Sequence, residues 1–192
     1  MSVIASRDKN NMATSSISRR MESCIQAFMK EDFETALIHY FPALDKTAKS
    51  RRNVGVGARI RSFLDDELDI ISHVATKNII RIECDGISIP QAIYKFGRTS
   101  IAHEGELDPR LNFDNRSGMS IGQTWNLPPS FITGMVLAVI IAPENANEEL
   151  KQDYTISIHD TEFKLNELWG DRRKIRDWIE QQYGRTMFAD DS

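Results

Sequence analysis

Ser130-Phe-Ile-Thr-Gly-Met-Val-Leu-Ala-Val-Ile-Ile-Ala-Pro143 carries no charged residue and presents apolar side chains on nearly every side. A helix that is apolar all round belongs in the middle of a larger assembly or in a bilayer. Length decides between the two, because about twelve apolar residues fall short of the ~20 that a bilayer requires. The stretch therefore predicts a buried central helix, Phe131 to Ala142, capped by Ser130 and stopped by Pro143. The chain on either side has to supply the helices that cover it, so the expected fold is mainly α, an antiparallel helical bundle.

Working toward the N-terminus, apolar residues recur at three- and four-residue spacings. Met21, Cys24, Ile25, Phe28 and Met29 make one stripe in a helix from Ile17, and Phe33, Ala36, Leu37 and Tyr40 make another behind a cap at Asp32. These two helices of an antiparallel pair occupy roughly residues 17–50. Pro42 either kinks the second helix or sits in the first turn of a new one, with Leu44 and Ala48 facing inward. A third helix is expected from Ala58 to Ile71, with Ile60, Phe63, Leu64, Leu68 and Ile71 on its apolar face. Ile79 to Cys84 reads as a short strand or extended segment, and Asp85-Gly86 as a turn. Ser88 or Ile89, followed by Pro90, opens a helix that Gly105 closes, with Ala92, Ile93 and Phe96 facing the core. Gly97 stands mid-helix at a cost of about 1 kcal/mol relative to Ala, tolerable where another backbone comes close, as at a dimer seam.

Residues 106–129 are loop-rich, with a short strand expected between Ser120 and Trp125. Past Pro143 the period changes from helical to alternating. Tyr154, Ile156 and Ile158, a turn at Asp160-Thr161, then Phe163 and Leu165 predict a β-hairpin. Asn166 or Asp171 caps a last helix, Arg172 to Tyr183. The expected organisation is a disordered leader (1–16), a helical domain (17–145), and an appendage of β-hairpin and C-terminal helix (146–192).

The 192 residues are 41% apolar and 27% charged, ordinary proportions for a globular protein with a real core. The net charge of −4 conceals a split: residues 1–62 sum to +5 and residues 63–192 to −9. Residues 46–61 hold six basic side chains and no acid, namely Lys46, Lys49, Arg51, Arg52, Arg59 and Arg61. Such a run is a solvated face or a set of phosphate contacts on RNA, each releasing counterions. Cys24 and Cys84 stand alone, sixty positions apart, which favours reduced thiols over a disulfide or zinc site. The first sixteen residues lack the apolar core of a signal peptide. The expectation is a soluble, cytoplasmic protein with no membrane span, no metal and no cofactor.

Gln91-Ala-Ile-Tyr-Lys-Phe-Gly-Arg-Thr-Ser-Ile-Ala-His-Glu-Gly105 carries the functional signal. Arg98 cannot lose its charge, whereas His103 exchanges a proton near neutrality. A fixed cation beside a proton shuttle is what phosphodiester cleavage without a metal requires. The same spacing also suits a plain helix end, where both side chains serve backbone carbonyls and the dipole. Five residues along an α-helix advance about 7.5 Å and turn about 140°, so Arg98 and His103 share no narrow stripe. Thr99 and Ser100, at four and three residues before His103, do share one with it. Two copies facing across a two-fold axis bring an Arg and a His together more easily, which predicts a homodimer through this helix.

Arg98 and His103 resemble the Arg-x(4–6)-His motif of the HEPN superfamily, and Tyr94 to Gly105 is similar to the motif helix of its bacterial members. The resemblance is sharp over about fifteen residues and architectural over roughly 20–145. It implies an HEPN-like helical bundle. It also implies a metal-independent endoribonuclease of the kind found in toxin–antitoxin, abortive-infection and antiviral defence systems, often dimeric through the motif helix and held by an inhibitory protein partner. Under it His103 is general base or acid and Arg98 stabilises the pentavalent phosphate. Thr99 or Ser100 orients the imidazole, and Glu104 tunes its charge. Family members often carry Asn, Asp or His after the arginine, where this chain has Thr99. Other members are non-catalytic modules that bind nucleotide, RNA or protein, and a purely structural helical adaptor is the third possibility. Of the remaining histidines, His39 is expected half-buried on its helix, His73 paired with Asp69, and His159 solvated at the hairpin tip.

Overall fold

The structure is a computed structural model that describes residues 15–114 and 118–188. The expected leader lies, up to residue 14, outside them. Helix α1 (Ser16–Phe28) and helix α2 (Phe33–Arg51) form an antiparallel hairpin. Lys46 Nζ donates to Ser16 Oγ at one end of it, and Arg20 meets His39 in the middle. The Ser15 hydroxyl caps α1, and Asp32 caps α2 by accepting from the Thr35 N–H. Pro42 lies inside α2, and the helix runs on past it to Arg51. No new helix starts there.

The expected third helix is in fact two, α3 (Val56–Asp66) and α4 (Leu68–Thr76), divided at Glu67. The apolar spacing runs through the break, so periodicity alone could not find it. At the break the Glu67 carboxylate is fully buried. Its Oε1 accepts from Arg51 Nη1 at 2.7 Å and Arg172 Nη1 at 2.9 Å. Arg51 also reaches Glu144 and Asp66 and lies over the Phe63 ring. Burial works against the charge of Glu144, but its hydrogen bond with Arg51 holds its carboxyl below the usual range.

Strands β1 (Glu83–Cys84) and β2 (Ile87–Ser88) pair antiparallel around Asp85-Gly86, both at positive φ, as a tight hairpin turn requires. Only the last two residues of the expected extended stretch are strand. Next comes one continuous helical run in three parts: α5 (Ile89–Ala92), a π segment (Ile93–Thr99), and α6 (Ser100–Glu104). The Ser88 hydroxyl and the Gln91 side chain close a capping box at its start, and Gly105 ends it at φ +83°. The loop-rich region forms a three-stranded sheet, β3 (Leu111–Phe113), β4 (Ser120–Ile121) and β5 (Trp125–Leu127), ordered β3-β5-β4 with β3 and β5 parallel.

Helix α7 (Ser130–Ile140) is the core, with Phe131, Ile132 and every residue from Gly134 to Ile140 buried. Ser130 does not cap it. Its hydroxyl donates to the Ala75 carbonyl, satisfying the C-terminal end of α4 instead. A Cβ built on Gly134 would stand 2.6 Å from the Ile71 carbonyl oxygen and 2.9 Å from Ile71 Cα. The two helices thus cross backbone to backbone, where nothing can give way. Gly134→Ala is expected to cost about 3 kcal/mol, a fall of roughly 6–12 °C in melting temperature. An unchanged thermal midpoint would contradict that crossing.

Strands β6 (Thr155–Ile158) and β7 (Thr161–Lys164) form the expected hairpin, with its turn one residue earlier at His159-Asp160. Helix α8 (Arg172–Tyr183) follows, capped by Asp171 accepting from the Lys174 N–H. Leu165, Trp169, Ile175 and Ile179 join the same apolar core as α7, so the appendage packs onto the bundle.

Its seam with the bundle is aromatic. Asp69 pairs with Arg81, not with His73. His73 is buried against the rings of His159, Trp178 and Tyr183, its Nδ1 3.4 Å from the Tyr183 hydroxyl. His159 is not free at the tip: its Nε2 lies 2.9 Å from the His73 carbonyl oxygen, and its ring stacks on Trp178. Burial, with His159 and Lys77 nearby, pushes the His73 imidazole down to about 4. In the unfolded chain that ring protonates near 6.5, so its contribution is present above that pH and lost as the pH falls toward 4. A thermal-melt series between pH 7 and 4 should show a smaller acid loss for His73→Phe than for wild type; parallel curves would refute the assignment.

Candidate functional site

The helical run 89–104 owes its place to Gly97. A Cβ there would lie 2.9 Å from the Phe41 ring and 3.3 Å from Leu111. The close approach is made within the chain, by the Phe41 ring on α2. The glycine falls inside the π segment, whose i→i+5 hydrogen bonds gather more residues into each turn. Such segments recur at functional sites. Arg98 and Thr99, as neighbours on a helix, point in different directions and border different clefts.

Arg98 lines a cleft of about 240 Å³ with Ile38, Phe41, Pro42, Asp45, Ile101 and Ala102. The Asp45 carboxylate accepts from Arg59 at 2.7 Å, and among the described residues no ion pair engages Arg98. Thr99 lines a second, wider cleft of about 550 Å³ with Arg61, Gly86, Ile87, Gln91, Tyr94 and Lys95. His103 and Glu104 are exposed, and Ser100 is half-buried. No side-chain hydrogen bond engages Thr99, Ser100, His103 or Glu104 among the described residues. His103 thus lines neither the Arg98 cleft nor the Thr99 cleft, and among the described residues neither hydroxyl is hydrogen-bonded to the imidazole.

The basic run divides. Arg51 is committed to Glu67 and Glu144, Arg52 pairs with Asp66 at 2.5 Å, and Arg59 is held by Asp45 and the Val54 carbonyl. Lys46 donates to Ser16. Lys49 is exposed and unengaged among the described residues, and Arg61 lies over the Tyr94 ring, its guanidinium carbon 5.0 Å from the centroid. Most of these cations therefore close the fold, leaving Lys49 and Arg61 open to a ligand. Tyr94, Lys95 and Gln91 escaped the sequence reading because only the fold carries Arg61 to their side of the helix. Burial pushes the free Cys24 thiol up to about 12, and Cys84 is half-buried and also free. No helix among the described residues is long and apolar enough to cross a membrane.

The sequence model of a family described as Rv1289 matches residues 16–190 of the chain. The chain is similar to the proteins named "Uncharacterized protein Rv1289" of Mycobacterium tuberculosis (strain ATCC 25618 / H37Rv) and "Uncharacterized protein Mb1320" of Mycobacterium bovis. Each is 26% identical over 184 residues, covering 85% of this chain and 88% of the relative. No solved structure matches the chain.

Proposed function

The chain belongs to the Rv1289 family, and we propose that it is an HEPN-like endoribonuclease that cleaves single-stranded RNA without a metal, as a homodimer through the helix 89–104. The observation that carries this is the free, exposed imidazole of His103 beyond an uncommitted Arg98, on a helix remodelled by a π segment. In the proposed reaction His103 takes the proton of the ribose 2′-hydroxyl, whose oxygen attacks the adjacent phosphorus. Arg98, contributed across the two-fold axis, neutralises the pentavalent phosphate. The bond to the 5′-oxygen breaks, that oxygen takes a proton from water, and a 2′,3′-cyclic phosphate remains. Thr99 or Ser100 steadies the ring once the partner encloses it, and Glu104 stands beside it. Stress response, toxin–antitoxin pairing or phage defence in the cytoplasm, with an inhibitory protein partner, is the setting this activity suits.

The test is a gel assay on labelled single-stranded and transfer RNA. Cleavage is expected to persist in EDTA, to leave a cyclic phosphate, and to spare a DNA strand lacking the 2′-hydroxyl. Cutting that requires an added metal ion, or that extends to DNA, defeats the proposal. A second reading, a silent HEPN-like module that binds RNA, nucleotide or protein, is favoured by uncharged Thr99 and by Asp45 in the Arg98 cleft. Binding without turnover selects it.

A further inference from the structure

We propose that the wider cleft beside this helix, lined by Arg61, Tyr94, Lys95, Gln91 and Thr99, seats one nucleotide of a single-stranded RNA. The inference deepens the ribonuclease reading and rests on it for the identity of the strand.

The lining includes two cations, a ring, an amide and a hydroxyl, with no carboxylate among its residues. Among the described residues neither Arg61 nor Lys95 makes an ion pair, unlike Arg51, Arg52 and Arg59. Two cations without ion pairs in one cleft are a site for an anion, with Lys95 Nζ 5.5 Å from the Phe96 ring centroid and within the field of the Asp108 carboxylate. The aromatic part narrows the anion to a nucleotide. Arg61 lies over Tyr94, so a guanidinium plane and a ring stand together, and unpaired bases stack on such surfaces. Ile87 and Gly86, from the β1–β2 hairpin, line the cleft as well, and Ile87 offers a base an apolar contact.

Gly57 supports the same reading from the far side. A Cβ there would lie 2.8 Å from the Tyr94 hydroxyl oxygen and 3.0 Å from Arg61 Nη1. The stack therefore occupies the space that a side chain on α3 would fill. Gln91, Lys95, Thr99 and His103 follow one another at four-residue steps, and the first three line the cleft. A strand entering by Lys95 and Thr99 thus runs toward His103. Arg61 and Lys95 take the phosphate, the Arg61–Tyr94 stack takes the base, and Thr99 lies toward the scissile linkage.

The experiment measures binding of an eight-nucleotide 2′-O-methyl RNA to the full chain by fluorescence anisotropy across a salt series. That strand cannot be cleaved through its 2′-oxygens, so binding is read apart from turnover. Lys95→Ala should weaken binding and lower the log–log salt slope by about 0.7, the release expected for one phosphate contact on a single strand. Lys95→Arg should keep the slope. Tyr94→Leu should weaken binding about tenfold with the slope unchanged. Gly57→Ala should weaken it without removing any charge, and Lys174→Ala, on α8, should leave it alone. Melting curves confirm that each variant is folded. Wild-type affinity and slope in Lys95→Ala and Tyr94→Leu overturn the proposal, as does a wild-type chain that does not bind the strand. Saturation by adenosine monophosphate with no gain from the longer strand overturns it too, since the cleft then serves a free nucleotide. Loss of cleavage in His103→Ala beside unaltered cleft variants would sink the cleft and leave the ribonuclease. Loss of binding in the cleft variants beside normal cleavage by His103→Ala would do the reverse.

Discussion

Replacing His103 by alanine is expected to slow RNA cleavage by about 10²–10⁴-fold, the usual loss for a well-placed proton-transfer group. The fold should not register the change, because the side chain is exposed and makes no hydrogen bond among the described residues. Arg98→Ala should lose about 10²–10³-fold, by analogy with removal of one donor to a developing oxyanion. Arg98→Lys should recover only part of that, since an ammonium keeps the charge but not the planar fork. Single-turnover cleavage of a labelled strand gives these numbers directly, and a melting curve on the same sample separates chemistry from stability. If the catalytic groups come from two subunits, mixing inactive His103→Ala and Arg98→Ala chains should restore a fraction of the activity through hybrid dimers. Wild-type rates in both single variants would remove His103 and Arg98 from the mechanism.

The second large effect concerns stability. Glu67→Ala is expected to cost about 3 kcal/mol, because it removes the buried carboxylate that Arg51 and Arg172 share, while Arg51 keeps Glu144 and Asp66. Both guanidiniums are mostly covered, with side-chain exposures of 11% and 16%, so water cannot make up the loss. Exposed pairs do not compare: Lys77→Ala, which breaks a contact with Asp160 at the surface, should cost under about 1 kcal/mol. Replacing Arg51 by Met should be at least as damaging as Glu67→Ala, since it takes one partner from Glu67 and strands the Glu144 carboxylate as well. Urea unfolding at neutral pH measures all three. A Glu67→Ala protein as stable as the Lys77→Ala protein would show that the pairing contributes little.

Much of the helical order was readable because burial leaves a periodic trace. The uninterrupted apolar run of α7, the Asp32 and Asp171 caps, and the alternation in β6 and β7 are local signals, and the fold follows them. The misses share a cause, which is competition from residues distant in sequence. Asp69 stands four residues before His73, the right step for a helical pair, but Arg81 claims it and the imidazole turns into the aromatic seam instead. Ser130 looks like a cap, but the free carbonyl of Ala75 lies within its reach. Most of the basic run looked free for RNA, until α3, Asp45 and Glu144 took three of its arginines. The helix 89–104 was legible as a helix, but its π segment was not, because the packing of Phe41 against Gly97 is a tertiary event.

The clasp on Glu67 has a consequence for the order in which a ribosome delivers this chain. Arg51 emerges before its acid, but Arg172 lies 105 residues behind Glu67. At about 5–20 residues per second that separation amounts to roughly 5–20 s of synthesis. Throughout that interval the nascent bundle holds a carboxylate with only one of its two arginine partners, at a break between α3 and α4 that still faces water. The second arginine reaches this carboxylate only once α8 has been made.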